Sequence, residues 1–384
     1  MHKHKQNQCK RKVKHRKNAM KLIIFCITVG IAFMFAYYQN LRKEIDTRQK
    51  WLETVLTEEK KWILENQGPE GEIYMNGSKA GDVNPYFACI AALGLLTETK
   101  NCSMTETEKK AVGRYLDWHT GILLETDGKM GIYRKENGKL VYKEKADSED
   151  GYLGMYLFLM GKYLGKTENT DLPESWKKGI SLALKKIQSL MQDGITQVSE
   201  ENTTVYLMDN LEVWKGLYEL ELAGMEDTQA ISEIRKKIQG QIEKIFWDDA
   251  NQRWRIIGNS DLYHQAEFYP DGVAQIYPLI YEFPVKEKKK QKVLYDQFTE
   301  RFQWKKLNKK RTGFLWAMTG MAAAQMRDIN NLVELVGNYE TEYGKGKERK
   351  YPLYTGEAGW ICMECGKLYE LYERKIKTGF ILCT

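Results

Sequence analysis

The chain has 384 residues and a formal net charge of +7, with 59 Lys and Arg against 52 Asp and Glu. Nine of the basic residues lie in residues 1–21, and the remaining 50 are nearly balanced by the 52 acidic residues. This balance excludes a broadly basic surface over most of the chain, so no nucleic-acid partner is expected. The length beyond the N-terminal segment is enough for one large core.

The N-terminal segment has the pattern of a membrane anchor. Residues 1–21 contain no acidic residue and precede LIIFCITVGIAFMFAYY at 22–38, which is uncharged and mostly apolar. A span of this length is at the short end for crossing a bilayer, and the positive-inside rule keeps the basic tail in the cytoplasm. A cleaved signal peptide is the alternative, but no small-residue cleavage site follows Ala36. We expect an uncleaved single-pass signal anchor in the cell membrane, with the rest of the chain extracytoplasmic.

Two kinds of helical segment alternate after the anchor. Segments of the first kind have apolar residues at helical spacing with Lys, Glu and Gln between them, which predicts amphipathic helices. They are 44–66, 104–121, 173–192, 226–248, 285–303 and 327–342. Segments of the second kind are apolar around most of the circumference, which predicts helices surrounded by protein. They are 81–96, 147–164, 208–224, 268–283, 312–326 and 355–373.

Six such pairs predict two concentric rings of helices, with the amphipathic helices outside and the apolar helices inside. The fold class is therefore all-α: an (α/α)6 barrel of six helical hairpins in residues 44–373, behind the N-terminal transmembrane helix. The repeat length is too irregular for a tetratricopeptide array. Strand signals are confined to short runs such as 128–145, where residues 136–139 predict a hairpin turn in the connection between the two helices of one pair.

Cysteine and histidine are too sparse for a metal site. Cys362 and Cys365 form a CxxC, but they lie inside an apolar helix with no second pair nearby, which favours buried structural cysteines over zinc or redox chemistry. Beyond the basic tail the only histidines are His119 and His264. We expect no metal and no organic cofactor.

Carboxylates and aromatic residues gather where the apolar helices begin. All inner helices of such a ring run in the same direction, so their first residues meet at one end of the barrel. The residues predicted there are Asp82, Asn84, Asp147, Glu149, Asp150, Tyr152, Asp209, Asn210, Glu212, Glu267, Tyr269, Asp271, Trp316, Tyr354, Glu357 and Trp360. Glycoside hydrolysis needs this combination, because one carboxylic acid protonates the leaving oxygen while a second carboxylate activates water or attacks carbon.

Each acidic residue could instead be a helix cap, since Asp and Asn are preferred N-caps and acids are favourable in a first turn. The run at 147–150 contains three acids in four residues, which is more than a cap requires. Like charges held close together cost stability, so this crowding favours a functional site.

The segment DSEDGYLGMYLFL resembles the SEGxxYGM-type stretch of glycoside hydrolase family eight, with Ser148, Glu149, Gly154 and Met155 at matching offsets. In that family the stretch supplies the general acid, so the resemblance implies this role for Glu149. DNLEVWKGLYELELAG is similar to the next motif of the family and YPDGVAQIYPL to the third, which implies a base at Asp271.

The chain also departs from that family. Asn210 stands where the second motif has a substrate-binding Asp, no Arg follows Asp271, and an additional apolar helix precedes the acid motif. Over residues 44–373 the chain resembles the wider six-hairpin glycosidase superfamily, through DSEDGY, MDNLEV and YPDGVAQ. The roles implied are acid catalysis by Glu149 and Asp150, base catalysis by Asp271, and binding of sugar hydroxyls by Asp209 and Glu212.

These features predict a membrane-anchored extracytoplasmic glycoside hydrolase that acts on a surface or exported polysaccharide. Sugar rings are expected to contact a further set of residues at the same end of the barrel. They are Tyr86, Tyr152, Trp214, Tyr269, Trp316, Glu357 and Trp360. A non-catalytic glycan-binding protein of a polysaccharide synthesis or export pathway is the main alternative. A polysaccharide lyase or a terpenoid cyclase is less favoured, because the usual histidine or aspartate-rich apparatus is absent from the sequence.

Overall fold

The computed structural model describes residues 2–77, 81–167, 171–225, 228–258, 260, 267–307, 314–350 and 352–383. Twelve helices lie within these ranges, in six successive pairs. The first members are α1 His2–Glu65, α3 Glu106–Glu125, α5 Glu174–Leu190, α7 Thr228–Phe246, α9 Lys288–Arg301 and α11 Ile329–Tyr343. The second members are α2 Pro85–Leu95, α4 Glu149–Thr167, α6 Leu207–Leu222, α8 Val273–Ile280, α10 Thr319–Gln325 and α12 Thr355–Cys383.

The chain divides into two units. One comprises Met1–Leu52 and Tyr369–Thr384, and the other is Glu53–Leu368. In the first unit, α1 contains a stretch beginning at Ile23 that is long and apolar enough to cross a membrane, with none of its most apolar window buried. Phe33 in this stretch is 73% exposed, which is costly in water and acceptable in lipid.

The outer helices of the second unit bury one face each. In α5, four apolar residues are buried at spacings of three and four residues: Trp176, Ile180, Ala183 and Ile187. Lys177, Lys178 and Lys185 between them are exposed. Helix α3 begins with a capping box, in which the Thr105 side chain accepts from the backbone of Glu108 and the Glu108 side chain accepts in return.

The inner helices approach one another closely. Helix α4 packs along α6, and a Cβ added at Gly154 would lie 2.6 Å from the backbone nitrogen of Val213. Such contact between backbones requires glycine at that position. The same holds between α2 and α12, where a Cβ on Gly94 would lie 2.6 Å from the Cα of Gly359.

These contacts close the inner ring. Helices α2, α4, α6, α8 and α10 pack in succession, and α12 contacts α2 through Gly359 and the segment before α10 through Glu357. The outer ring closes at the last residues of α1, where Lys60 pairs with Glu108 of α3 and Glu59 accepts from Tyr339 of α11. The predicted (α/α)6 barrel of six hairpins is confirmed.

Short strands lie in the connections between helices. Strand β1 Asp82–Val83, in the connection between α1 and α2, joins β2 Gly131–Glu136 and β3 Lys139–Lys145, between α3 and α4, in one antiparallel sheet. Asn137 and Gly138 are at positive φ in the predicted turn. Two smaller hairpins follow. They are β4 Met191–Gln192 with β5 Ile195–Thr196, and β6 Trp247–Asp248 with β7 Arg253–Trp254.

The two ends of the inner ring differ chemically. Toward the C-terminal ends of α6 and α8, buried Lys215 contacts Glu219 and Glu282 at 2.9 Å each, and Lys367 pairs with the other oxygen of Glu282 at 2.8 Å. Both lysines of this cluster are therefore paired with carboxylates. The N-terminal ends of the inner helices surround an open cavity instead.

Candidate functional site

A cavity of about 520 Å³ lies at the N-terminal ends of the inner helices. Residues from all six inner helices or the segments just before them contribute to its walls, together with the β2–β3 hairpin. The lining comprises Met75, Asp82, Asn84, Tyr86, Phe87, Ile90, Ile132, Glu144, Lys145, Asp147, Ser148, Gly151, Tyr152, Met208, Asp209, Glu212, Tyr269, Tyr277, Phe314, Trp316, Met318, Tyr354, Glu357 and Trp360. The ring topology therefore brings together side chains more than 250 residues apart in sequence.

Among the carboxyl groups that line the cavity, Asp209 has the most strongly raised pKa. It is half-buried in the first turn of α6, and its Oδ2 atom has no hydrogen-bond partner within the described residues. Burial raises its pKa well above the usual range, the charges of Asp150 and Glu212 raise it further, and hydrogen bonding with Ser148 opposes the rise. The group therefore retains its proton at a higher pH than an ordinary aspartate does.

Glu212, one turn along α6, is held by three tyrosine hydroxyls. Its Oε1 atom accepts from Tyr86 at 2.5 Å, from Tyr277 at 2.6 Å and from Tyr281 at 3.2 Å. Burial nevertheless raises the pKa of Glu212 to about 7, since the tyrosine hydrogen bonds only partly compensate for lost hydration. Glu212 is thus rigidly oriented and close to its titration point at neutral pH.

Asp147 lines the cavity just before α4 and is exposed to solvent. Its charge contributes to the raised pKa of Asp209, so the two carboxyl groups are close enough to interact. The neighbouring helices α4 and α6 thereby supply two carboxyl groups in different environments, one exposed and one partly desolvated.

Aromatic rings form the walls between these carboxyl groups. Tyr269 and Trp316 pack at 4.7 Å between ring centroids, and Tyr269 remains 41% exposed. Tyr86 and Tyr152 pack at 5.7 Å on another wall. Phe87, Phe314 and Tyr354 form a third cluster, with centroids 5.4 to 5.7 Å apart. A cavity with these walls offers flat apolar faces beside hydrogen-bonding groups.

Asp82 has a different environment at the same cavity. Its carboxylate accepts from Arg134 at 2.7 Å and from Lys143 at 2.8 Å, both on the β2–β3 sheet. The Arg134 hydrogen bond is the main reason that the pKa of Asp82 is lowered. Asp82 is therefore ionised and paired, and it holds the hairpin against the cavity.

The structure places the three carboxylates predicted to be catalytic outside the cavity lining. Glu149 interacts with Lys145 at 3.3 Å and lines a small separate hollow. Asp150 is fully buried, accepting from Thr196 at 2.7 Å and from Ser148 at 2.8 Å, and burial raises its pKa to about 6. Asp271 is also buried, in a π-helical turn that runs into α8.

The predicted substrate-binding residues are mostly brought together. Those that line the cavity are Tyr86, Tyr152, Asp209, Glu212, Tyr269, Trp316, Glu357 and Trp360. Trp214 does not line the cavity. It is buried elsewhere on α6, where it stacks on Tyr218 and its indole N–H donates to Gln239. His264, the second histidine outside the tail, lies outside the described residues.

Sequence reasoning missed Tyr277 on α8 and Tyr281, the residue that follows α8, both of which donate to Glu212. Their spacing of four residues is a signal for one shared helix face. Within the described residues, no three His, Cys, Asp or Glu side chains are arranged to hold a metal ion. Cys362 and Cys365 are buried in α12 as expected, and burial raises both thiol pKa values.

No family model and no curated protein matches the chain. Among solved structures, it is similar to a metal-independent alpha mannosidase of Streptococcus pneumoniae in a non-productive complex with alpha-1,6-mannobiose (TM-score 0.60, 10% identity, 87% of this chain and 97% of that chain). It is also similar to a wild-type glycosidase (0.58, 12%, 83% and 97%) and to a D-mannose isomerase (0.56, 11%, 85% and 98%). At these identities the likeness shows the fold, and the chain has the (α/α)6 fold that these sugar-acting proteins have.

Proposed function

We propose that this protein is a membrane-anchored glycoside hydrolase that acts outside the cytoplasm on a surface or exported polysaccharide. The observation that carries the proposal is the cavity at the inner-helix N-termini, where partly desolvated Asp209 and exposed Asp147 lie among aromatic walls. The similarity to glycosidases over most of both chains supports it.

Asp209 suits the role of general acid. A carboxyl group that keeps its proton near neutral pH can donate it to the glycosidic oxygen as the bond to the anomeric carbon breaks. Asp209 lines the cavity, and its buried Oδ2 atom has no hydrogen-bond partner among the described residues, so no protein group competes for its proton. The electron pair of the breaking bond goes to the leaving oxygen, which takes the proton of Asp209.

Asp147 suits the role of the second carboxylate. Being exposed beside the cavity, it is accessible to a water molecule or to the anomeric carbon itself. It takes a proton from the attacking water, or attacks carbon and is later displaced by water. Glu212, whose Oε1 is held by tyrosines, supports the acid role of Asp209 because its negative charge disfavours a second one nearby.

This assignment differs from the one implied by sequence resemblance, in which Glu149 and Asp150 are acids and Asp271 is the base. Position in the cavity lining favours Asp209 and Asp147, since a catalytic carboxyl must reach the substrate. Asp150 retains an indirect effect, because its charge raises the pKa of Asp209. Variants of Asp209, Asp147 and Glu149 distinguish the two assignments by the residue that acts as the acid.

The experiment uses full-length protein in detergent and a panel of oligosaccharides that includes alpha-1,6-mannobiose, α- and β-linked gluco-oligosaccharides and N-acetylhexosamine oligomers. Release of reducing ends is measured for the wild type, Asp209→Asn, Asp147→Asn and the control Glu149→Gln. We expect kcat to fall by about 10²- to 10⁴-fold in the first two variants, as is typical when an acid or base is removed. Glu149→Gln should retain activity.

Two results would count against the proposal. Loss of activity in Glu149→Gln with full activity in Asp209→Asn would support the resemblance-based assignment instead. Binding of a panel glycan without cleavage by any form, wild type included, would indicate a non-catalytic glycan-binding protein.

The membrane topology is part of the proposal and rests on charge. The basic, acid-free residues 1–21 stay on the cytoplasmic side, and α1 carries the chain across the bilayer. Protease added to intact cells is expected to degrade the barrel and spare an epitope placed at the N-terminus. Protection of the barrel until the cells are lysed would contradict this topology.

A further inference from the structure

The segment that carries Trp316 into the cavity is held by one buried carboxylate. Glu357 accepts from the backbone N–H of Trp316 at 3.2 Å through Oε1 and from that of Ala317 at 2.8 Å through Oε2. Two successive N–H groups thus hydrogen-bond to a side chain that is 4% exposed, and the backbone of Leu315 just before them helps to oppose the rise in the pKa of Glu357. Successive N–H groups in such a turn form an anion-binding concavity, and Glu357 supplies the anion from within the chain.

The backbone held in this way is strained. Trp316 has φ = 59°, in the left-handed region that bulky side chains rarely adopt. Its carbonyl is fixed as well, because it accepts from the hydroxyl of Thr319 at 2.8 Å and from the backbone N–H of Thr319 at 3.1 Å. A conformation of this kind persists only where surrounding contacts determine it, and such strain is typical of functional sites.

The strained turn sets the position of the indole ring. It directs Trp316 against Tyr269, with ring centroids 4.7 Å apart and planes inclined by 36°, where the pair forms one wall of the cavity. Both oxygens of Glu357 are occupied by backbone donors, so its carboxylate is committed to the turn rather than to a substrate hydroxyl.

We propose that Glu357 is a positioning residue for glycan binding, which acts by fixing the Trp316 turn so that Trp316 and Tyr269 present one aromatic platform to a sugar ring. The inference rests on the proposed function, and it differs from the expectation that Glu357 itself binds sugar. If the carboxylate is lost, buried N–H groups are left without an acceptor and the left-handed turn relaxes. The indole then leaves Tyr269, and sugar affinity falls while the carboxyl groups that perform the chemistry stay in place.

The test measures kcat and KM on the panel oligosaccharide that the wild type cleaves fastest. Glu357→Gln keeps the size of the side chain but places an amide NH₂ against a backbone N–H. We expect KM to rise by about tenfold, the value of one good aromatic contact, with kcat nearly unchanged. Trp316→Ala should raise KM to a similar extent, and the double variant should be no worse than Trp316→Ala alone, because Glu357 acts through Trp316.

Glu364→Gln is the matched control. Glu364 is a second fully buried glutamate on α12, two turns further along, and it lies against Gly320 rather than the Trp316 turn. Its replacement tests for general loosening of the helix and should leave KM unchanged. If Glu357→Gln folds poorly, Glu357→Asp, which keeps the charge but shortens the reach, is expected to give the same rise in KM.

A fall in kcat at constant KM in Glu357→Gln would overturn the inference, as would additive effects of the two substitutions. These outcomes leave the proposed hydrolase intact, since the wild type and Trp316→Ala are still active. Absence of cleavage by the wild type would instead remove the proposed function, on which the inference rests.

Discussion

The carboxyl groups around the cavity show how burial and hydrogen bonding compete at single residues. Glu212 receives three tyrosine hydroxyl donors, all of which favour its ionised form, yet its pKa is raised to about 7. Burial is the larger effect. Glu357 shows the same balance with backbone N–H donors, and its pKa is also raised to about 7. Both groups therefore titrate near the pH at which the protein is expected to work.

The tyrosine contacts to Glu212 lead to a graded prediction. Removing the Tyr277 hydroxyl, which donates at 2.6 Å, is expected to raise the pKa of Glu212 above about 7, because the ionised form loses a strong donor. Tyr281→Phe removes a donor at 3.2 Å and should give a smaller rise. The measurement is an NMR titration of ¹³C-labelled glutamate carboxyls in the wild type and both variants. A lower pKa in Tyr277→Phe would contradict the balance described.

The sequence could identify the acidic run at 147–150 as a site, but not which side chain enters the cavity. In the structure Asp147 and Ser148 line the cavity, Glu149 pairs with Lys145, and Asp150 is enclosed by hydrogen bonds. The choice depends on contacts with Lys145 and Thr196, which belong to other elements. Such contacts cannot be predicted from the local sequence pattern.

Among the elements, the contact between α4 and α6 sets the geometry of the site. The first turn of α6 carries Asp209, and Asp147 lies just before the first turn of α4. The two helices approach until their backbones touch at Gly154. A wider separation would move Asp209 away from Asp147 and Ser148. Glycine is therefore required inside α4 despite its poor helix propensity.

Gly154→Ala is expected to destabilise the barrel by roughly 1–3 kcal/mol, because the new methyl group overlaps the backbone of α6. Gly165→Ala is the matched control on the same helix, since nothing lies within 4 Å of a Cβ at that position. It should be neutral or stabilising by up to about 1 kcal/mol, the usual advantage of alanine in a helix. Chemical denaturation of both variants measures the difference. Equal stabilities would contradict the close packing of α4 and α6.

Helix identity was predictable because hydrophobic periodicity is local, and the predicted hairpin at 136–139 was confirmed for the same reason. The prediction that Trp214 faces the cavity did not take its angular position around α6 into account. At about 100° per residue, Glu212 lies about 60° from Asp209 around α6, whereas Trp214 lies about 140° away. A helical projection would have separated Trp214 from the cavity face without any structure.

At the scale of the whole molecule, the perturbed carboxyl groups predict how stability depends on pH. The pKa values of Glu59, Glu212 and Glu357 are raised to about 7, and that of Asp150 to about 6, chiefly by burial. Between about pH 4.5 and 7 the folded protein thus holds protons that the unfolded chain releases. The contribution of these four groups to stability falls as pH rises through this window, and it outweighs the single opposing contribution of His119, whose pKa burial lowers to about 3.

The opposite effect operates at lower pH. The pKa of Glu282 is lowered to about 2 because Lys215 and Lys367 outweigh its burial, so its contribution to stability is lost as pH falls from about 4.5 toward 2. We expect the midpoint of thermal unfolding to be highest near pH 4.5 to 5 and lower at pH 8. Differential scanning calorimetry at constant ionic strength checks this. A midpoint that rises steadily to pH 8 would contradict the raised pKa values.

The overall architecture was predictable from twelve alternating segments, since amphipathic and uniformly apolar helices have different places in a double ring. Closure of the ring was inferred only from the number of pairs. It depends in the structure on contacts such as Glu59 with Tyr339, which are 280 residues apart. The geometry of the aromatic platform of Tyr269 and Trp316 could not be predicted from the sequence either, because it depends on the left-handed backbone conformation of Trp316.

The proposed hydrolysis depends most on protonation of the leaving oxygen of a bound glycan by Asp209. The most direct test compares Asp209→Asn with the wild type on two substrates. One is the disaccharide of the panel that the wild type cleaves fastest, and the other is the 2,4-dinitrophenyl glycoside of the same sugar, whose leaving group departs without a proton. We expect a loss of about 10²- to 10⁴-fold in kcat on the disaccharide and little loss on the dinitrophenyl glycoside. Equal losses on both substrates, or none on the disaccharide, would contradict this role of Asp209.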